Sequence, residues 1–99
     1  MAMNETPVLN LLASMTEASI AVSGLDPDEL MLVRIAALVA VDAPTASYLT
    51  NLETIAEVGI DAERLSGVLA AVAPIVGTAR VASATGKIVE ALAVAESNS

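Results

Sequence analysis

Asp26-Pro27-Asp28-Glu29-Leu30-Met31-Leu32-Val33-Arg34-Ile35-Ala36-Ala37-Leu38-Val39-Ala40-Val41-Asp42-Ala43-Pro44 decides the fold of this 99-residue chain. Asp26 stands three residues before Glu29 with Pro27 between them. That spacing is a capping box with proline at the first helical position. From Leu30 to Val41 only Arg34 is not apolar, and a helix apolar on every face is predicted to be buried on every face. Asp42-Ala43-Pro44 ends it, because the residue before a proline avoids the helical region.

The flanking sequence carries the same punctuation. Residues 6–24 read as an N-terminal helix that opens at Thr6-Pro7, places Leu9, Leu12, Met15 and Ser19 at helical spacing, and stops at Gly24. Beyond Pro44 a third helix runs to about Val58, with Leu49, Leu52, Ile55 and Ala56 inward and Glu53 and Glu57 outward. Gly59 closes it as a left-handed cap. Asp61 caps a fourth helix bearing Leu65, Val68, Leu69 and Val72, which Pro74 kinks or ends before Gly77-Thr78 resets the chain. A last helix holds Val81, Thr85, Ile88, Leu92 and Ala95 on one stripe, ahead of a polar tail at residues 96–99. Five helices on short connections predict an all-α compact bundle in a single domain, residues 1–99.

Composition narrows the function classes. Apolar residues make up 56% and charged residues 16%, against about 25% charged in ordinary domains, so the chain folds. Twelve acidic residues against four basic ones give a net charge of −8 and a pI near 4.1. Arg34, Arg64, Arg80 and Lys87 are too few and too scattered to bind nucleic acid or an anionic membrane surface. The start, Met1 to Glu5, has no basic region of the kind that opens a signal peptide. The longest uncharged run, Leu65 to Ala79, contains Pro74 and two glycines and falls short of the roughly 18 apolar residues that span a bilayer. A cytoplasmic protein is expected. With no Cys and no His, thiol chemistry, disulfides, zinc fingers and imidazole catalysis are excluded, and neither metal nor cofactor is implied.

The core side chains are small: twenty alanines, no Phe, no Trp and a single Tyr48. Small side chains bury little area each, and a chain of this length is marginal as a monomer. The apolar excess therefore predicts a homo-oligomer, with one face buried against another copy.

Few residues carry chemistry. Glu53 and Glu57, four apart, could hold a metal or share a proton, and read more simply as a solvated face. Asp61, Glu63 and Arg64 read as first-turn helix chemistry. Ser83 and Lys87 are one turn apart, the spacing of a serine–lysine nucleophile, without an apparent pocket to lower the lysine pKa. Ser47, Tyr48 and Asn51 form a polar turn that could meet a polar ligand or serve helix capping. Arg34 is the least ordinary residue, because a charge in so apolar a helix must be paired, reach an edge or hold a ligand carboxylate. Arg80, in the first turn of the last helix, is a second anion contact. The ligand-binding candidates are therefore Arg34, Tyr48, Asn51 and Arg80.

The stretch Leu32-Val33-Arg34-Ile35-Ala36-Ala37-Leu38, the segment Asn51 to Ala56 leading to Gly59-Ile60, the acid-capped helix after it and Ile75-Val76-Gly77-Thr78 resemble the carboxymuconolactone decarboxylase and alkylhydroperoxidase D-like family. The likeness spans residues 25–95. It implies an all-helical fold assembled into trimers, hexamers or related rings. In redox-active relatives a Cys-x-x-Cys pair and a His precede that glycine. Counted back from Gly59, the His position falls on Asn51, the Cys positions on Ser47 and Pro44, and the family Glu near Leu32. None is present, so peroxidase and disulfide chemistry are absent, and the decarboxylase branch lacks its proton-transferring His.

Three readings follow. The chain is a family-like helical protein that keeps a pocket for a small anionic or carboxylate ligand; or a lyase or isomerase acting on a small carboxylate or lactone, with Tyr48 or a carboxylate moving the proton; or a purely structural assembly protein. Arg34 paired to a protein acid favours the last, and Arg34 facing a polar pocket favours the first two.

Overall fold

The computed structural model describes residues 2–97, with side-chain burial from Thr6, so the last two residues of the polar tail lie outside the described residues. It consists of α1 (Ala2–Ser23), α2 (Pro27–Ala40), α3 (Thr45–Glu57), α4 (Ala62–Val76) and α5 (Thr78–Ser97). No strand occurs among the described residues.

The helix ends follow the sequence. The Asp26 N–H donates to Glu29 Oε1 at 3.1 Å, and Asp61 Oδ1 accepts from the Arg64 N–H at 2.9 Å, so orphan donors at the starts of α2 and α4 are met. At the end of α3 the Gly59 N–H reaches the Ala56 carbonyl and the Ile60 N–H the Ile55 carbonyl, a Schellman motif with Gly59 at φ 81°. The end of α2 has the same pair of bonds, Asp42 to Val39 and Ala43 to Leu38. There an acid occupies the left-handed seat, at φ 54°.

Of the two alternatives at Pro74, α4 takes the continuing one and ends at Gly77. Two boundaries differ from the sequence reading. α1 begins at Ala2 rather than Thr6, and Pro7 lies inside it, where it removes one backbone donor near a helix end. α5 extends into the expected polar tail as far as Ser97.

α2 is the centre of the bundle and packs on α3, α4 and α5, while α5 also packs on α3 and α4. Met31, Ile35 and Val39, one helical turn apart, are fully buried, and Tyr48, Ile55, Ile60, Ala84, Ile88 and Ala91 close the core around them. The expectation that α2 is buried all round does not hold within one chain: Val33 is 55% and Val41 70% exposed, because neighbours cover only part of its circumference. α1 joins none of these pairings, and every side chain from Thr6 to Ser23 is exposed.

Candidate functional site

Because α1 stands off the bundle, a groove of about 660 Å³ opens between it, α2 and α3. Its walls are apolar at Leu12, Met15, Ile20, Leu25, Leu30, Met31 and Leu38. Thr16 and Ser19 from α1, and Thr50, Asn51 and Thr54 from α3, add short polar groups. Arg34 is the one charged side chain among them. Its guanidinium donates to Ser19 Oγ at 3.3 Å and to the Thr16 carbonyl at 3.5 Å, both long contacts that leave donor capacity unused. No carboxylate lies within ion-pair distance of Arg34 among the described residues.

The other three cations are committed to fixed partners. Arg64 lies 3.6 Å from Asp28 and links α4 to α2. Arg80 donates to the Ala40 carbonyl, and Lys87 Nζ meets Asp42 Oδ1 at 3.0 Å. α2 has no basic residue in its own last turn, so α5 supplies the positive charge that its carbonyl end favours. Ser83 Oγ adds a donor to Asp42 Oδ1 at 2.8 Å. The hydrogen bond from Lys87, then that from Ser83, then the lysine charge hold the Asp42 carboxyl below its ordinary value of 3.8. Ser83 and Lys87 are thus a docking clasp between α5 and the end of α2, with the lysine ion-paired rather than poised as a base.

The four ligand-binding candidates separate. Arg34 and Asn51 share the groove, where the Asn51 amide donates to the Ser47 carbonyl at 2.7 Å and is held against its own helix. Tyr48 lies in the core at 2% exposure and lines neither this groove nor a second one. Its hydroxyl is buried without a hydrogen-bond partner. Burial, and secondarily the Asp42 charge, raise the Tyr48 pKa above 10.0. Arg80 is at the far end of α2, on the Ala40 carbonyl. Pro44 caps α3 and accepts at its carbonyl from the Ser47 N–H. Glu53 and Glu57 are exposed on α3, and no group of acids among the described residues converges to hold a metal ion.

Sequence reasoning missed Asp42, which it took only for a helix break, and the two acceptors on α1 that receive Arg34, the Thr16 carbonyl and the Ser19 hydroxyl. The second groove, about 600 Å³, is apolar at Leu49, Leu52, Ile55, Ile60, Leu65 and Leu92, with Glu53 as its charged group. No helix of the described residues is long and apolar enough to cross a membrane. No family model, no curated protein and no solved structure matches this chain.

Proposed function

We propose that the chain is a thiol-free helical binding protein, of the carboxymuconolactone decarboxylase and alkylhydroperoxidase D-like type that its sequence resembles, which takes up a small carboxylate with an apolar body. Arg34 anchors the carboxylate and the Leu and Met side chains of the groove receive the rest. The observation that carries this reading is an arginine facing an apolar groove with no carboxylate within ion-pair distance among the described residues. A guanidinium offers a planar fork of donors that fits a carboxylate, and short apolar clefts with few polar groups suit such ligands. Binding is favoured over lyase chemistry because the lining contains no carboxyl, phenol or amine to move a proton. Assembly with further copies of the chain and a cytoplasmic location belong to the same proposal, supported by the apolar excess and by the acidic, cysteine-free composition.

Isothermal titration with decanoate tests it, with decanol as the uncharged control. Hydrogen bonds to charged groups are worth about 1.5–3 kcal/mol, so Arg34→Met is expected to weaken decanoate about tenfold to a hundredfold and to leave decanol unchanged. Equal decanoate affinity in both proteins removes Arg34 from the site, and no binding to the parent protein refutes the carboxylate reading.

A further inference from the structure

The second groove, between α3, the start of α4 and the end of α5, has no part in the carboxylate site. Ile55 and Ile60 belong to the buried core and form its floor, while Leu49, Leu52, Leu65 and Leu92 form its walls. Of the two acids four apart on α3, Glu53 lines this groove and Glu57 does not. Glu53 is the one charged side chain of the lining. α3 carries neither Lys nor Arg, and no cation lies within ion-pair distance of Glu53 among the described residues.

We infer that this groove binds a primary alkylammonium, with the ammonium on the Glu53 carboxylate and the alkyl chain along the leucines and isoleucines. Charge complementarity identifies the occupant. The net charge of −8 creates a field that concentrates cations, and at Glu53 that field meets an apolar cleft and an acid without a fixed cation. Size agrees. The groove holds about 600 Å³, within the span of about 300–1,000 Å³ that small-molecule sites occupy, and a basic peptide would bring several cations to a lining with one acid. The head group follows from hydrogen bonding. A carboxylate accepts charge-assisted bonds from N–H donors, which a primary ammonium has and a quaternary one lacks. Quaternary ammonium groups are recognised instead by aromatic faces, and the chain's single aromatic side chain, Tyr48, is not part of this lining.

Isothermal titration with decylammonium tests the site, with decanol and decyltrimethylammonium as controls. Glu53→Gln, a change of nearly equal size at an exposed position, is expected to weaken decylammonium about two- to fivefold, the reach of an exposed ion pair, and to leave decanol unchanged. Ala56→Phe fills the groove from another exposed position of its lining and is expected to abolish decylammonium binding while helical circular dichroism is retained. Decyltrimethylammonium is expected to bind the parent protein more weakly than decylammonium. No decylammonium binding, equal affinity in Glu53→Gln, undiminished binding to Ala56→Phe, or equal affinity for decyltrimethylammonium each overturns the assignment. The two grooves are read separately. Arg34→Met is expected to keep its decylammonium affinity, and a loss there would move the amine to the first groove and overturn the second site. Failure of decanoate to bind leaves the ammonium site standing.

Discussion

Tyr48→Phe is expected to stabilise this protein, which is unusual for a substitution at a residue only 2% exposed. The change keeps the ring among Met31, Ile35, Ala84 and Ile88 and deletes the hydroxyl alone. That hydroxyl is buried with no partner, and an unpaired buried hydroxyl costs about 1–3 kcal/mol. The void left by one oxygen takes back part of the gain, so a net stabilisation of about 1 kcal/mol is expected. For a domain of this size that corresponds to a Tm higher by roughly 4–8 °C. Urea denaturation followed by circular dichroism should show a higher midpoint at unchanged slope, the mark of altered stability rather than altered compactness. A second readout comes from pH. The folded Tyr48 pKa is raised above 10.0, so the unfolded chain releases its phenolic proton first. Stability is therefore whole below pH 10 and falls as pH rises above it. Tyr48→Phe should abolish that contribution to the alkaline decline. A loss of 1 kcal/mol or more in the variant at neutral pH would show that the hydroxyl is hydrogen-bonded in solution and refute the reasoning.

Asp61→Ala removes the side chain that caps α4 and should cost about 0.5–2 kcal/mol in urea denaturation. Ile35→Ala opens a hole at a site 1% exposed, and a loss of about 2–5 kcal/mol is expected, enough to unfold much of so small a domain at ambient temperature. Lys87→Met should lower the urea midpoint only slightly, because its ion pair with Asp42 is half open to water. The same pair makes stability pH-dependent at the acid end: the Asp42 pKa is lowered, so its contribution is present above about pH 3.8 and is lost as pH falls through the folded value, which Lys87→Met should attenuate in acid titrations.

The helices were legible because their ends are written in local chemistry. Asp26 with Glu29, Asp61 with the Arg64 amide, and Gly59 in a left-handed cap each act within a few residues, which sequence spacing captures. The core face of α2 was legible only as apolar, since a helix with apolar residues all round does not reveal which side faces inward; Met31, Ile35 and Val39 are selected by α3, α4 and α5. Tyr48 and Arg80 stand away from the groove for the same reason, because their direction is set by packing across the bundle rather than by neighbours in sequence. Asp42 was hidden by its position. The left-handed seat that it occupies is usually filled by glycine or asparagine, and its partners Ser83 and Lys87 are more than forty residues away in the chain.

The distribution of positive charge joins these observations. The chain has only four basic side chains. Arg64, Arg80 and Lys87 each fasten one helix to α2, through Asp28, the Ala40 carbonyl and Asp42. These are the contacts that a small, alanine-rich bundle needs where its side chains bury little area. Arg34 does not fasten the packed core in this way. It lies on the side of α2 that faces α1, the helix that takes part in none of the main helix pairings, and donates to α1 in two long hydrogen bonds. In a protein with net charge −8 the surrounding field disfavours anions in general. The carboxylate proposal rests on this difference: of the four basic side chains, Arg34 is the one that faces apolar walls with no carboxylate within ion-pair distance among the described residues.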